Sequence, residues 1–310
     1  MIDTDVVTVG EAMAFVVPEG GDDLAPGARM VLGVGGAESN VAMGLARLGV
    51  SSAWLSAVGD DPLGRMILSE VAAAGVDVSA VRIDPIHPTG AYFKLHERGR
   101  STPVYFRRGS AASHLDRSIL AHIASTRVTH VSGVALALSS ATAELVGAIL
   151  ERRPELGTVS FDVNHRSALW RDRSAADELL VAARRADIVF VGRDEAEALW
   201  GTATPAEVRS LLADVGTVVV KDAEVGATSF VGDTSVFVPS PRVDVVEPVG
   251  AGDAFAAGWL SGWLAEERPE VCLARGHVLA GLALTQWGDV PVVPVEERIR
   301  AAVGAVLGSS

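Results

Sequence analysis

Short continuous apolar runs, separated by glycine- and proline-bearing turns and by longer helical stretches, set the character of this chain. Val6-Val7-Thr8-Val9, ending at Gly10, has the unbroken apolar character of a strand buried on both faces. Ala12–Val17 predicts a second strand, stopped by Pro18 and the polar turn Glu19-Gly20-Gly21-Asp22-Asp23. A glycine-rich stretch, 33–40, leads into a helix over Val41–Leu48 that ends on Gly49. Ala53–Val58 predicts another strand. The turn Gly59–Gly64 follows it, with Pro62 suited to the first turn of a helix running to about Gly75.

The strand–turn–helix rhythm then breaks. From Thr89 to Arg108 two strand-like runs, Ala91–Leu95 and Val104–Arg108, flank the polar loop Glu97–Ser101 and predict a hairpin. Together with Ala12–Val17 they would form a small sheet apart from the main one, a candidate lid made from about 12–33 and 89–108. The rhythm resumes with strands at Val128–Gly133, Val159–Val163, Ile188–Val191 and Val218–Lys221, with helical segments between them. A hairpin, Ala227–Val231 with Ser235–Val238, precedes three closing helices at about 252–266, 270–287 and 295–307. No internal repeat or low-complexity linker interrupts the chain. The expected fold is one α/β unit over 1–310, a doubly wound, mostly parallel sheet flanked by helices with a small β-sheet lid. Ligands should gather at the C-terminal ends of the strands.

Composition narrows the partners more than the fold. A formal net charge of −13 disfavours nucleic acid or an anionic membrane as the main partner, though a local Arg or Lys cluster would still serve an anionic small molecule. No apolar run is long enough to span a bilayer, and the acidic start Met-Ile-Asp-Thr-Asp lacks a signal-peptide core, so a cytoplasmic protein is expected. The single cysteine, Cys272, has no partner for an internal disulfide and reads as a small core residue. The seven histidines show no paired metal-ligand spacing.

The stretch richest in chemistry is Glu247–Gly262, where Gly250-Ala251-Gly252 runs into an apolar helix with Asp253 at the junction. Unpaired N–H groups at a helix start suit a phosphoryl group, and small residues let it approach the backbone. A carboxylate there would repel phosphate, so Asp253 is either a helix cap or a base for a hydroxyl that attacks phosphorus. The segment Gly33–Asn40 is not a dinucleotide fingerprint, because Glu38 replaces the third glycine; its glycines permit close ligand approach and Asn40 can bond sugar hydroxyls. Asn164 and Arg166 end the strand at Phe161–Val163, where Arg166 suits an anion or a surface salt bridge. Lys221–Ala227 can wrap nucleotide phosphates or be a plain turn. Tyr105 and Arg107 share one face of their strand, fitted either to an anionic substrate or to edge protection. There is no P-loop and no Gly-x-Ser-x-Gly elbow.

Gly35-Gly36 with Asn40, Gly59-Asp60-Asp61 through Gly64, and Gly250-Ala251-Gly252-Asp253 together resemble the two signatures of ribokinase-like (PfkB-type) carbohydrate kinases, in order and spacing from near residue 5 to near 300. Within that family the chain is most similar to 2-keto-3-deoxygluconate kinases. The likeness is carried by segments 35–40, 105–111 and 161–166, by Leu169-Trp170 and by Gly288-Asp289.

The resemblance implies an ATP-dependent kinase with Asp253 as catalytic base and residues Gly250, Ala251 and Gly252 forming an anion hole. It implies substrate contacts from Gly35, Gly36, Asn40, Tyr92, Tyr105, Arg107, Arg166, Asp253 and Asp289. Nucleotide contacts would come from Asn164, Arg166, Lys221, Glu224, Gly226, Gly250 and Gly252. Mg²⁺ would travel with ATP and meet Glu195 through water, and a monovalent cation is a further candidate. Two positions depart from the family pattern: Gly192 stands where Asn is common in Asn-x-x-Glu, and Ala223 where the nucleotide turn usually has glycine. Two arginines, Arg107 and Arg166, favour a substrate with a carboxylate over a neutral sugar. The alternatives are a kinase for fructose, ribose or a phosphosugar, and a non-catalytic sugar-acid sensor of the same fold. Exposed edges of the lid sheet predict a homo-oligomer.

Overall fold

The computed structural model describes residues 1–19, 24–97, 100–151, 153–170, 174–286 and 288–308, with backbone alone at 96–97 and 100–102. In chain order, β1 (Ile2–Val9), β2 (Met13–Pro18) and β3 (Met30–Gly35) lead into α1 (Ala37–Arg47). Then come β4 (Ser52–Leu55), β5 (Ala57–Gly59), α2 (Pro62–Ala73), β6 (Arg82–Asp84), β7 (Ala91–Glu97) and β8 (Arg100–Phe106). After β9 (Ile123–Ser132), α3 (Gly133–Leu138) and α4 (Ser140–Ile149), the chain alternates through β10 (Thr158–Asp162), α5 (Ala175–Arg185), β11 (Ile188–Gly192), α6 (Arg193–Trp200), α7 (Pro205–Leu211) and β12 (Thr217–Asp222). The hairpin β13 (Gly226–Val231) and β14 (Thr234–Pro239) precedes α8 (Ala251–Leu264), α9 (Pro269–Leu284) and α10 (Glu296–Gly308).

Eight strands form the main sheet in the order β14-β13-β12-β11-β10-β9-β1-β4, parallel from β4 to β12 and antiparallel at the terminal hairpin. The unbroken apolar runs follow from burial on both faces. Val7 and Val9 of β1 point into a core with Leu145, Ile149, Phe161 and Leu179, while Val6 joins Val41, Trp259, Leu260 and Leu273 on the opposite face. The chain moves outward from β1 to β4 and then returns to β9 on the other side of β1. That reversal opens a crevice at the C-terminal ends of β1 and β9, where open α/β sheets bind ligands. No helix among the described residues is long and apolar enough to cross a membrane.

The second sheet has the order β3-β2-β7-β8, with β2 and β7 parallel and the outer pairs antiparallel. Its inner face carries Met13, Phe15, Val17, Tyr92 and Tyr105 in one apolar cluster. The sequence reading of this sheet lacked β3. Glycines at 33 and 35 disguised that strand, although Gly33 lies directly under the Phe15 ring, where a Cβ would overlap it. The expected strand Val104–Arg108 ends instead at Phe106. The single strand expected over 53–58 is two: β4 pairs with β1, and β5 pairs with β6 in a small sheet of its own. All six of those residues are buried, and burial alone does not say which neighbour a strand pairs with. Helix α1 starts at Ala37, four residues before the expected Val41, so Glu38 and Asn40 lie in its first turn. The helix expected to reach 287 ends at Leu284; 287 itself, like most of the 19–23 turn and the tip of the 97–101 loop, lies outside the described residues.

Candidate active site

Helix α8 begins on Gly250, whose φ of +87° is strained for any side-chain-bearing residue. A Cβ there would also overlap the carbonyl of Asp289, so the loop after α9 packs directly on the helix start. Asp253 follows in the first turn, where N–H groups lack intrahelical partners. Two side-chain amides converge on its carboxylate. Asn40 Nδ2 donates to Oδ2 at 2.9 Å, and Asn164 Nδ2 donates to Oδ1 at 3.3 Å. The carbonyl oxygens of both amides are buried without hydrogen-bond partners among the described residues. Asn164 holds its place with φ +37°, a left-handed conformation that Asn tolerates better than most residues. Loss of water pushes the Asp253 carboxyl up to about 7; the Asn40 hydrogen bond opposes this, Asp162 adds to it, and Arg166 and Lys221 pull the other way. The group is only partly covered, so a ligand in the cleft can reach it.

Lys221, at the end of β12, bonds Asp162 Oδ2 at 2.8 Å. Its ammonium stands at the helix start, 3.5 Å from where a Cβ of Gly252 would lie. Burial works against its charge, but Asp162, Glu195 and Asp253 more than offset that and raise its pKa. Beyond Lys221 a cavity of about 720 Å³ opens, lined by Ala223, Glu224, Gly226, Gly252, Phe255 and His277 among others. Its size suits a nucleoside-sized ligand. His277 bonds the Val238 carbonyl at 3.0 Å, and burial lowers its pKa. Ala223 has φ +42°, which explains why glycine is the expected residue there.

At the opposite end of the cleft Gly35 faces Tyr92 and Asp289, and a Cβ on it would strike both side chains. Tyr92 OH donates to Asp289 Oδ2 at 2.9 Å. Burial, and then the Asp289 charge, hold the Tyr92 phenol far above its ordinary pKa, so it stays a donor. Asp289 Oδ1 accepts from Lys94 Nζ at 2.6 Å. Tyr105 packs 5.5 Å from Tyr92, so the chain's two tyrosines line this face together. Arg107 lies just past β8, buried, and forms an ion pair with Glu11; Ser110 donates to the other oxygen of the same acid. The Arg107 Nε has no hydrogen-bond partner among the described residues. Arg166 is exposed, with Nη1 bonding the His165 carbonyl at 3.2 Å, yet its charge is felt at Asp253.

Helix start, amides, tyrosines and arginines therefore line the crevice that the reversal in strand order creates. Residues 3–295 of the chain match the pfkB family of carbohydrate kinases. The chain belongs to that family. A 2-dehydro-3-deoxygluconokinase of Bacillus subtilis (strain 168) is 35% identical over 97% of this chain and 96% of its own length. A PfkB protein from Polaromonas sp. JS666 superposes with a TM-score of 0.84 at 34% identity, over 96% of this chain and 100% of that one. A double-mutant fructokinase from Vibrio cholerae O395, solved with fructose, ADP and potassium ion, gives a TM-score of 0.86 at 26% identity, over 98% of this chain and 100% of its own. The ribokinase-like fold is thus that of the solved pfkB relatives, and the chain is a carbohydrate kinase.

Sequence reasoning missed four charged residues of this kinase cleft. Glu11, Lys94 and Glu247 each neutralise or hold a residue that had been singled out or its loop, and Glu38 lies buried beside Ser132. Lys94 left a signal, since it shares the Tyr92 face of β7 at a spacing of two. Glu38 Oε1 accepts from Ser132 Oγ at 2.5 Å while burial, opposed by that bond and aided by Asp253, raises its carboxyl to about 7. Glu195 was expected near a metal. Both its oxygens accept backbone N–H groups, from His165 at 3.0 Å and Gly192 at 2.8 Å. No group of three or more His, Cys, Asp or Glu side chains among the described residues could hold a metal ion. Held in one orientation by those two N–H groups, Glu195 keeps acceptor capacity on each oxygen that a water on a phosphate-borne divalent ion would use.

Proposed function

We propose that this pfkB kinase transfers the γ-phosphoryl group of ATP to the 6-hydroxyl of 2-keto-3-deoxygluconate. The observation that carries the reading is Asp253: a reachable carboxylate at a helix start, gripped by two amides, with its pKa raised to about 7. A base poised near the working pH takes a proton efficiently from an attacking hydroxyl. The hydroxyl oxygen forms its bond to the γ-phosphorus as the bond to the β-phosphate oxygen breaks, ADP leaves, and the hydroxyl proton passes to Asp253. Backbone N–H groups of Gly250, Ala251 and Gly252, with Lys221 beside them, would stabilise charge on the transferred group. The nucleoside would lie in the 720 Å³ cavity along Lys221–Gly226, with Asn164 and Arg166 at the phosphates. Mg²⁺ carried by the phosphates, with Glu195 behind a water, would neutralise their charge.

The sugar acid would lie under the four-stranded sheet, which serves as a lid excluding water. Gly35 and Gly36 allow close approach, Tyr92 and Tyr105 line the wall, Arg107 and Arg166 take the carboxylate, and Asn40 and Asp289 meet hydroxyls. Similarity to the Bacillus enzyme over nearly the whole chain supports the sugar-acid choice. One observation favours a second reading, a neutral sugar such as fructose. Arg107 is already paired with Glu11, which removes the net positive charge a carboxylate would seek. An ADP-release assay over 2-keto-3-deoxygluconate, its galactose-derived epimer, fructose and ribose separates them. Turnover of the acids at least tenfold above the neutral sugars is expected, where one ion-pair hydrogen bond is worth about 1.5–3 kcal/mol. Preference for fructose or ribose would replace the sugar-acid reading with the second.

A further inference from the structure

Lys94 lies on the inner face of β7 with 2% of its surface exposed, and three contacts hold its ammonium. Asp289 Oδ1 is 2.6 Å away, Glu247 Oε2 is 3.5 Å away, and the Phe15 ring centroid lies at 4.3 Å. Both acids belong to segments that build the start of α8. Glu247 is three residues before Gly250, and its Oε1 accepts from Val249 N–H at 3.2 Å, fixing that turn. Its Oε2 has no hydrogen-bond partner among the described residues, so the Lys94 charge is what compensates it. Asp289 packs its backbone so closely on Gly250 that no side chain fits between them. Tyr92, on the same face of the same strand, grips the other oxygen of Asp289.

One strand of the four-stranded sheet therefore holds both loops that flank the anion-hole turn. In a dry interior such charged contacts are strong when satisfied and costly when broken, and a satisfied network stiffens the parts it joins. We propose that Lys94 is a positioning residue that couples seating of the sheet over the sugar to the setting of the Gly250–Gly252 turn. Sugar binding beneath the sheet then raises affinity for the nucleotide phosphates, and by linkage the nucleotide raises sugar affinity by the same factor. This inference rests on the kinase reading of the cleft but not on which sugar it takes.

The test is binding of adenylyl imidodiphosphate with Mg²⁺ to the full chain, by calorimetry, with and without saturating 2-keto-3-deoxygluconate or D-fructose. In the wild type, whichever sugar binds should tighten nucleotide binding about 5- to 150-fold, the usual span of such coupling. In Lys94→Met that ratio, taken as nucleotide affinity with sugar over that without it in the same variant, should fall to about twofold or less. A merely structural lysine would lower the melting temperature or weaken both states alike and leave the ratio intact. An unchanged ratio in Lys94→Met, or no coupling in the wild type, overturns the proposal. Because Lys94→Met strands two buried acids, the double variant Lys94→Met/Glu247→Gln removes one of them, leaves Asp289 its Tyr92 hydrogen bond, and should lose the ratio as well. Lys94→Arg, which keeps the cation, should retain part of it. If neither sugar binds, the sugar assignment fails on its own, and the ratio is measured with the best acceptor of the ADP-release panel.

Discussion

At one end of the cleft the key parts are four consecutive residues, Gly250 to Asp253, whose geometry follows from starting a helix on a glycine with positive φ. At the other end Gly35, Tyr92, Arg107 and Asp289 come from four separate segments, and their charges are already matched inside the protein: Arg107 by Glu11, and Asp289 by Lys94 and Tyr92. The first end keeps its carboxylate in tension, held by amides yet dehydrated enough to bind a proton near neutrality. The second end keeps its charges satisfied. A site that does chemistry benefits from a group near its switching point, whereas a site that recognises a shape benefits from groups that do not move.

That contrast can be broken at either end. The largest effect is expected at Asp253: Asp253→Asn should cut kcat by about 10²- to 10⁴-fold, the usual worth of a general base, with sugar affinity little changed. Steady-state kinetics alongside calorimetric sugar binding check it, and near-normal turnover would remove the base assignment. At the matched end, Arg107→Ala should raise KM for the sugar acid about 10- to 100-fold, as loss of a charged hydrogen bond would, with a much smaller effect on a neutral sugar. Equal effects on both would mean that Arg107 serves only to neutralise Glu11. The smallest effect concerns the nucleotide turn. Ala223→Gly relieves a left-handed backbone at φ +42° but gives back chain entropy, for a net gain of about 0.5 kcal/mol. Calorimetric melting should rise slightly, and a fall would show that the Ala223 methyl packs usefully.

The same contrast explains what could be read without coordinates. Contiguous features were legible: the parallel sheet from its unbroken apolar runs, and the Gly250–Asp253 junction from glycines followed by an apolar helix. Asn40 and Asn164 were singled out, but as ligands for sugar and nucleotide. That both amides grip Asp253 depends on the start of α1 and the end of β10 lying beside α8, a long-range fact that no local pattern carries. The pairing of Glu11 with Arg107 spans 96 positions, and that of Lys94 with Asp289 spans 195. Strand β3 was hidden because glycine, used there to let the Phe15 ring lie across the strand, is elsewhere a mark of turns.

The most direct test of Asp253 as a base poised by its surroundings needs no mutation. It is the pH dependence of kcat/KM for the best acceptor, which reports ionisation in the free enzyme. As the base, Asp253 would act deprotonated, and dehydration places its pKa at about 7 instead of near 4. Activity should therefore be low in acid, climb through about pH 7 and level off above it. A profile already flat from pH 5 upward would contradict a raised carboxylate as the proton acceptor.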